Sequence, residues 1–154
     1  MLFKRLNRSD AERVFCVFQA NAAGIAADDV VGLELTAASV DGTKIIQPAS
    51  GGLFATVGIA DAAIANGGFG LVQIYGYRST SRVIQTGTSL TAGCVLGPVA
   101  AADYLQSQAT VPIGYLPAFV LLESASSAPG ADSTTSKKIF IRAMTALFAL
   151  ACTL

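Results

Sequence analysis

Short runs of β-branched and aromatic residues, broken roughly every ten residues by Gly, Pro, Asn, Asp or Ser, leave this chain little room for anything but an all-β fold. Residues 13–18, Arg-Val-Phe-Cys-Val-Phe, suit a buried strand, because side chains branched at Cβ or carrying a ring pack well on a pleated surface. Residues 29–36, 44–47 and 54–60 are the next strand candidates, with Asp41-Gly42 as a turn between the first two. The clearest strand is 69–77, Phe-Gly-Leu-Val-Gln-Ile-Tyr-Gly-Tyr, and 82–85 continues it beyond a Ser-Thr-Ser break. Residues 94–96, ended by Gly97-Pro98, then 113–122 and 137–143, complete the set. The fold class expected is a single-domain β-barrel or β-sandwich of about eight short strands. It would have an N-terminal arm over 1–12, a β body over 13–143 and an apolar C-terminal tail over 144–154, the last favouring a helix by its Ala and Leu content. Residues 124–136, Ser-Ala-Ser-Ser-Ala-Pro-Gly-Ala-Asp-Ser-Thr-Thr-Ser, read as a mobile surface loop.

With 154 residues the chain fits one domain. Only 13% of its residues are charged while 53% are apolar, so a domain this small is thinly coated with charge. Part of its surface is therefore expected against neighbouring subunits. The net charge is zero but unevenly spread. Residues 14–136 hold three basic groups, Lys44, Arg78 and Arg82, against eight acidic ones, while Lys4, Arg5, Arg8 and Arg13 gather at one end and Lys137, Lys138 and Arg142 near the other. An acidic body argues against nucleic acid as a partner, which would need a basic stripe to displace counterions. Neither end reads as a signal peptide, and the apolar stretch 143–154 is shorter than the roughly 20 residues a helix needs to cross a bilayer. No membrane partner is expected.

Catalytic chemistry finds few footholds. There is no histidine, so a Ser-His-Asp or Cys-His arrangement cannot form within one chain. Cys16, Cys94 and Cys152 have no metal-ligand spacing and sit in apolar runs, as buried thiols do. The glycines of 67–84 match neither GxxxxGK[ST] nor a GxGxxG that opens a helix, and no EF-hand pattern is present. A carboxylate pair such as Asp103 with Glu123 would be needed for acid–base work, and nothing in the sequence joins them. The chain is expected not to be an enzyme, with no catalytic residue, no cofactor and no metal.

Surface chemistry is richer. Tyr75 and Tyr77 share a strand face by the two-residue period, with Arg78 and Arg82 close behind. Tyrosines so placed commonly pack a ring against a partner and keep the hydroxyl wet. Ile64, in Asp-Ala-Ala-Ile-Ala-Asn-Gly-Gly, either folds back onto the barrel or meets a neighbour beside Phe69. The uncharged tail with Met144, Leu147, Phe148 and Leu150 must be buried in its own barrel or under an adjacent subunit. The candidate partner interface is therefore Lys4, Arg5, Arg8, Ile64, Phe69, Tyr75, Tyr77, Arg78, Arg82, Met144, Leu147, Phe148 and Leu150.

Four phrases carry a resemblance: Asp-Ala-Glu-Arg-Val-Phe-Cys-Val-Phe (10–18), the run from Val57 to Tyr77, Ser-Leu-Thr-Ala-Gly-Cys-Val-Leu-Gly-Pro-Val (89–99) and Lys-Lys-Ile-Phe-Ile-Arg-Ala-Met (137–144). In them the chain resembles the small β-rich structural proteins of tailed-bacteriophage virions, particularly capsid decoration (cement) proteins. It departs from them at Cys94, where an acidic or small residue is expected, and in its extended tail beyond Met144. The resemblance implies a protein made in the host bacterial cytoplasm and placed on the capsid surface of the virion. There it would stabilise the head by bridging major capsid protein subunits, as a homotrimer whose partners are that protein and its own copies. A tail or neck component, or a β-barrel that binds a host-surface ligand, is the alternative.

Overall fold

A computed structural model describes residues 12–21, 23–35, 42–86, 89–107, 119–125 and 132–142. Eleven strands form among them: β1 (Arg13–Ala20), β2 (Val30–Leu33), β3 (Lys44–Ile46), β4 (Thr56–Ala60), β5 (Phe69–Arg78), β6 (Arg82–Thr86), β7 (Val95–Pro98), β8 (Leu105–Ser107), β9 (Phe119–Leu121), β10 (Asp132–Ser136) and β11 (Ile139–Ile141). One 3-10 turn, Leu53–Ala55, precedes β4, and no α-helix occurs among the described residues. The expected all-β class holds, with more strands than the apolar runs suggest.

Five strands close on themselves. β1, β3, β2, β4 and β5 are hydrogen-bonded in that order, and β1 pairs again with β5. Every pairing in this barrel is antiparallel except β1 with β3. Closure gives each of these strands a partner on both sides, which removes exposed edges within the ring. The other six strands extend from β5 in the order β11, β9, β7, β8, β6, β10. Segments 69–86 and 132–141 run antiparallel beside one another, with Ile139 opposite Arg78 and Ser136 opposite Arg82. Because β10 leads into β11 through Lys137 and Lys138, and β6 pairs with both β8 and β10, this second layer curls round its own core.

Two hydrophobic cores result. Ala20, Ile25, Val31, Ile45, Ala60, Ile64 and Val72 fill the barrel. A second cluster, with Val83, Leu96, Leu105, Phe119, Leu121, Ile139 and Ile141, lies among the later strands and also takes Val30 and Ile59. Neighbouring residues of β2 and β4 thus serve different cores: Val31 and Ala60 face the barrel, Val30 and Ile59 the second layer. A strand covered on both faces has no polar side, which is why Val-Val-Gly-Leu and Thr-Val-Gly-Ile-Ala carry no charge. Fully burying one such aliphatic side chain is worth about 1.5–3 kcal/mol.

Three glycines among the described residues are fixed by space, Gly58 because a Cβ there would run into the carbonyl of Gln73. A Cβ on Gly70 would collide with the side chain of Ile64, which lies over it inside the barrel. Gly76 has φ +100° and meets the carbonyl of Glu12, so neither a side chain nor an ordinary L-residue backbone fits there.

The apolar-run reading misses β8 and β10. Residues 132–136, assigned to a mobile loop, form β10, which pairs with β6 in unbroken register from Asp132–Thr86 to Ser136–Arg82. Asp-Ser-Thr-Thr-Ser has no apolar periodicity to announce a strand; the main chain of β6 supplies its partners. Residues 1–11 and 143–154, where the arms and the terminal helix are expected, lie outside the described residues.

Candidate interaction surface

β1 and β5 form the part of the barrel wall with its outer face open. Phe18 and Ala20 of β1, and Val72 and Ile74 of β5, pack inward. The alternate positions point away from that core. Val17 stands opposite Leu71 and Gln19 opposite Phe69 in the register. Val17 is 62% exposed, Phe69 70% and Leu71 47%. Three large apolar side chains therefore sit together on a rigid wall, facing solvent. Gln19 frames them, its side-chain amide donating to the carbonyl of Gly67 at 2.9 Å. β1 is thus only half a buried strand, since nothing among the described residues covers its outer side.

A second apolar row crosses the later strands. Val95 stands opposite Val120, Val120 opposite Phe140, and Phe140 opposite Tyr77. All four are half-buried. Tyr75 packs edge-on against Phe140 with ring centroids 5.5 Å apart and planes at 82°. The Arg13 guanidinium lies 5.8 Å from the centroid of the Tyr77 ring, a geometry that draws the cation to the ring face.

Of the interface residues expected from sequence, Phe69 is on the open wall and Tyr75 and Tyr77 border the second row. Ile64 is 3% exposed and belongs to the barrel core, bridged through its backbone to Ile25. Lys4, Arg5, Arg8, Met144, Leu147, Phe148 and Leu150 lie outside the described residues. Val17 and Leu71 are interface candidates that the sequence reading passed over. Their signal was present as alternation within β1 and β5, but a run of apolar residues on both faces hides which face is covered.

Arg78 turns into its own chain. Its side chain is 6% exposed, and each donor group is occupied. Nε donates to the carbonyl of Thr80 at 2.7 Å. Nη1 donates to Gln73 Oε1 at 3.3 Å and to Asp61 Oδ1 at 3.4 Å. Nη2 donates to Asp28 Oδ1 at 2.5 Å and to the carbonyl of Ala60 at 2.9 Å. Gln73 in turn donates to the carbonyls of Tyr75 and Tyr77 at 3.2 and 2.9 Å. A planar five-donor fork suits such a cluster in a way lysine does not. Asp28 reaches it with φ 67°, a left-handed conformation that aspartate tolerates.

Arg82 faces two carboxylates at the seam between barrel and second layer. It donates to Asp103 Oδ2, and its Nη1 is 3.5 Å from Asp29 Oδ1. Asp29 is buried, and its Oδ2 accepts the N–H of Ala26 at 2.8 Å. Burial pushes the Asp29 carboxyl above the usual aspartate range; the Ala26 N–H opposes this, the Asp103 charge adds to it, and Arg82 opposes it. Asp103 and Glu123 are each held by a different cation. Glu123 accepts the backbone N–H of Lys138 at 2.9 Å and pairs with its ammonium at 3.4 Å. That backbone hydrogen bond, with the Lys138 and Lys137 charges, holds the Glu123 carboxyl below its usual range against a small desolvation effect. Among the described residues, no three His, Cys, Asp or Glu side chains gather as a metal site would require.

No protein-family model matches this chain, and no curated protein matches it in sequence. Among solved structures it is similar to the head fiber gp8.5 N base of bacteriophage phi29, with 13% identity over 84% of this chain and 94% of that chain and a TM-score of 0.48.

Proposed function

We propose that this chain is a non-enzymatic structural protein of a bacteriophage virion, attached to the head, where it stabilises the capsid by bridging major capsid protein subunits. The observation that carries the reading is the open apolar wall of β1 and β5, with Val17, Phe69 and Leu71 exposed on a closed barrel. Exposed apolar side chains grouped on a rigid scaffold favour docking against another protein surface. The internal use of Arg78 and Arg82 fits the same reading, since the charged groups of the body are spent on holding the fold and leave the wall apolar. The phrases at 10–18, 57–77, 89–99 and 137–144, which resemble those of phage decoration proteins, point to a capsid as the docking surface. Assembly as a homotrimer would set several such walls against one lattice, and linked weak contacts reinforce one another through effective concentration.

The test is co-sedimentation of the purified protein with mature head shells built from the major capsid protein alone. Saturable binding with a fixed number of copies per shell is the expected result. Absence of binding at micromolar concentration would move the assignment to a tail or neck component or to a host-ligand barrel.

A further inference from the structure

We propose that Asp29, Arg82 and Asp103 form a proton-binding joint between the barrel and the second layer of strands, which takes up one proton on mild acidification and is tightened by it. The three residues come from three places in the fold. Asp29 directly precedes β2 of the barrel, Arg82 opens β6, and Asp103 lies just before β8. The N–H of Val30 donates to the carbonyl of Asp103 at 3.2 Å, so the main chain crosses the seam at the same point. Two carboxylates thus compete for one guanidinium, and they compete unequally. Asp103 holds Arg82 in a direct hydrogen bond. Asp29 is 3% exposed, and its Oδ1, although 3.5 Å from Arg82, has no hydrogen-bond partner.

A buried carboxylate oxygen without a donor is costly when charged and much less so when protonated. The surrounding groups neutralise it only in part, Arg82 being the one cation among the described residues within reach of Oδ1. Asp28, its neighbour on the same turn, is ion-paired with Arg78, which also holds Asp61. Arg82 is 41% exposed and committed first to Asp103. The remaining contact is the Ala26 N–H on Oδ2. A proton from solvent placed on Asp29 Oδ1 removes one of the two like charges and leaves Arg82 to Asp103. The direction of the Asp29 shift, with burial first among its causes and the Asp103 charge also raising it, agrees with this geometry.

The sign follows by linkage. For a carboxyl titrating higher in the folded than the unfolded chain, the folded state binds more protons across that interval, so its contribution to stability falls as pH rises above about 4. The full chain, labelled with 13C at its carboxyl groups, is titrated by NMR. Asp29 is expected to titrate above the ordinary aspartate value, and Asp103→Asn is expected to bring it down. In parallel, the excess of the Asp29→Asn melting temperature over wild type is expected to grow from about pH 4 to neutrality. An Asp29 midpoint at or below the ordinary value overturns the proposal. So does a midpoint that Asp103→Asn leaves unmoved, or a melting difference that stays flat. The wild-type titration decides alone should either variant fail to fold.

Discussion

Replacing Arg78 with methionine keeps most of the side chain's length and apolar contact while deleting the fork that holds five acceptors. The loss can be worked from each partner. The Ala60 carbonyl retains the N–H of Asp28 at 3.0 Å, and Asp28 retains the Thr80 hydroxyl at 3.0 Å. Gln73 Oε1 is left in the buried interior with no donor, which costs about 1–3 kcal/mol. Asp28 and Asp61 lose their cation, but their side chains are 32% and 46% exposed and can recruit water. Removing one member of a buried pair costs about 3–5 kcal/mol, and this hydration places Arg78→Met at the lower end, about 3 kcal/mol. With a urea m-value of about 2 kcal/mol/M for a small domain, the unfolding midpoint should fall by about 1.5 M. Arg78→Lys keeps the charge without the fork and should lose about half as much. Equilibrium unfolding followed by far-UV circular dichroism reads both. A Met variant within about 1 kcal/mol of wild type, but impaired in binding head shells, would refute the internal clamp and return Arg78 to the partner surface.

Three further outcomes are expected. Gly70→Val should destabilise the barrel by about 1–3 kcal/mol, because the added carbons overlap Ile64 and force it off its rotamer; thermal melting reads this, and an unchanged melting temperature would contradict the packing. Glu123→Gln should lower stability at neutral pH and have little effect in acid. The Glu123 carboxyl is held below its usual range, so its contribution is present above about pH 4.3 and lost as pH falls through the folded value; melting curves from pH 2.5 to 7 test the sign. Val17→Asp with Phe69→Glu should leave the unfolding midpoint within about 0.5 kcal/mol of wild type, since both residues are exposed, while abolishing assembly on shells.

How much of this was legible in the sequence depends on whether a strand's partner writes its signature into the strand itself. Val30-Val31 and Ile59-Ala60 announce buried strands because cores lie on both sides of them. Asp132–Ser136 announces nothing, since its pairing with β6 uses main-chain groups that every residue has. The run of aromatic and β-branched residues in β1 revealed a strand but not its open side. Which face of a barrel wall is covered depends on where the second layer folds, and that layer lies over β2 and β4 rather than over Val17 and Leu71. Arg78 and Arg82 follow the same logic. Beside Tyr75 and Tyr77 they resemble a partner-facing edge, but their acidic partners Asp28, Asp29, Asp61 and Asp103 are 17 to 53 positions away in the chain and meet them only through the fold. For Ile64, Gly70 was the available clue: a glycine inside a strand marks a place where something else comes close.

The proposed bridging of capsid subunits through the β1–β5 wall is tested most directly by the thermal disruption temperature of mature head shells, recorded bare, with the wild-type protein, and with the Val17→Asp/Phe69→Glu variant. The wild type should raise that temperature at saturating occupancy, and the folded variant should leave the shells as they are without any protein. A variant that protects the shells as well as wild type would show that the wall does not hold the capsid.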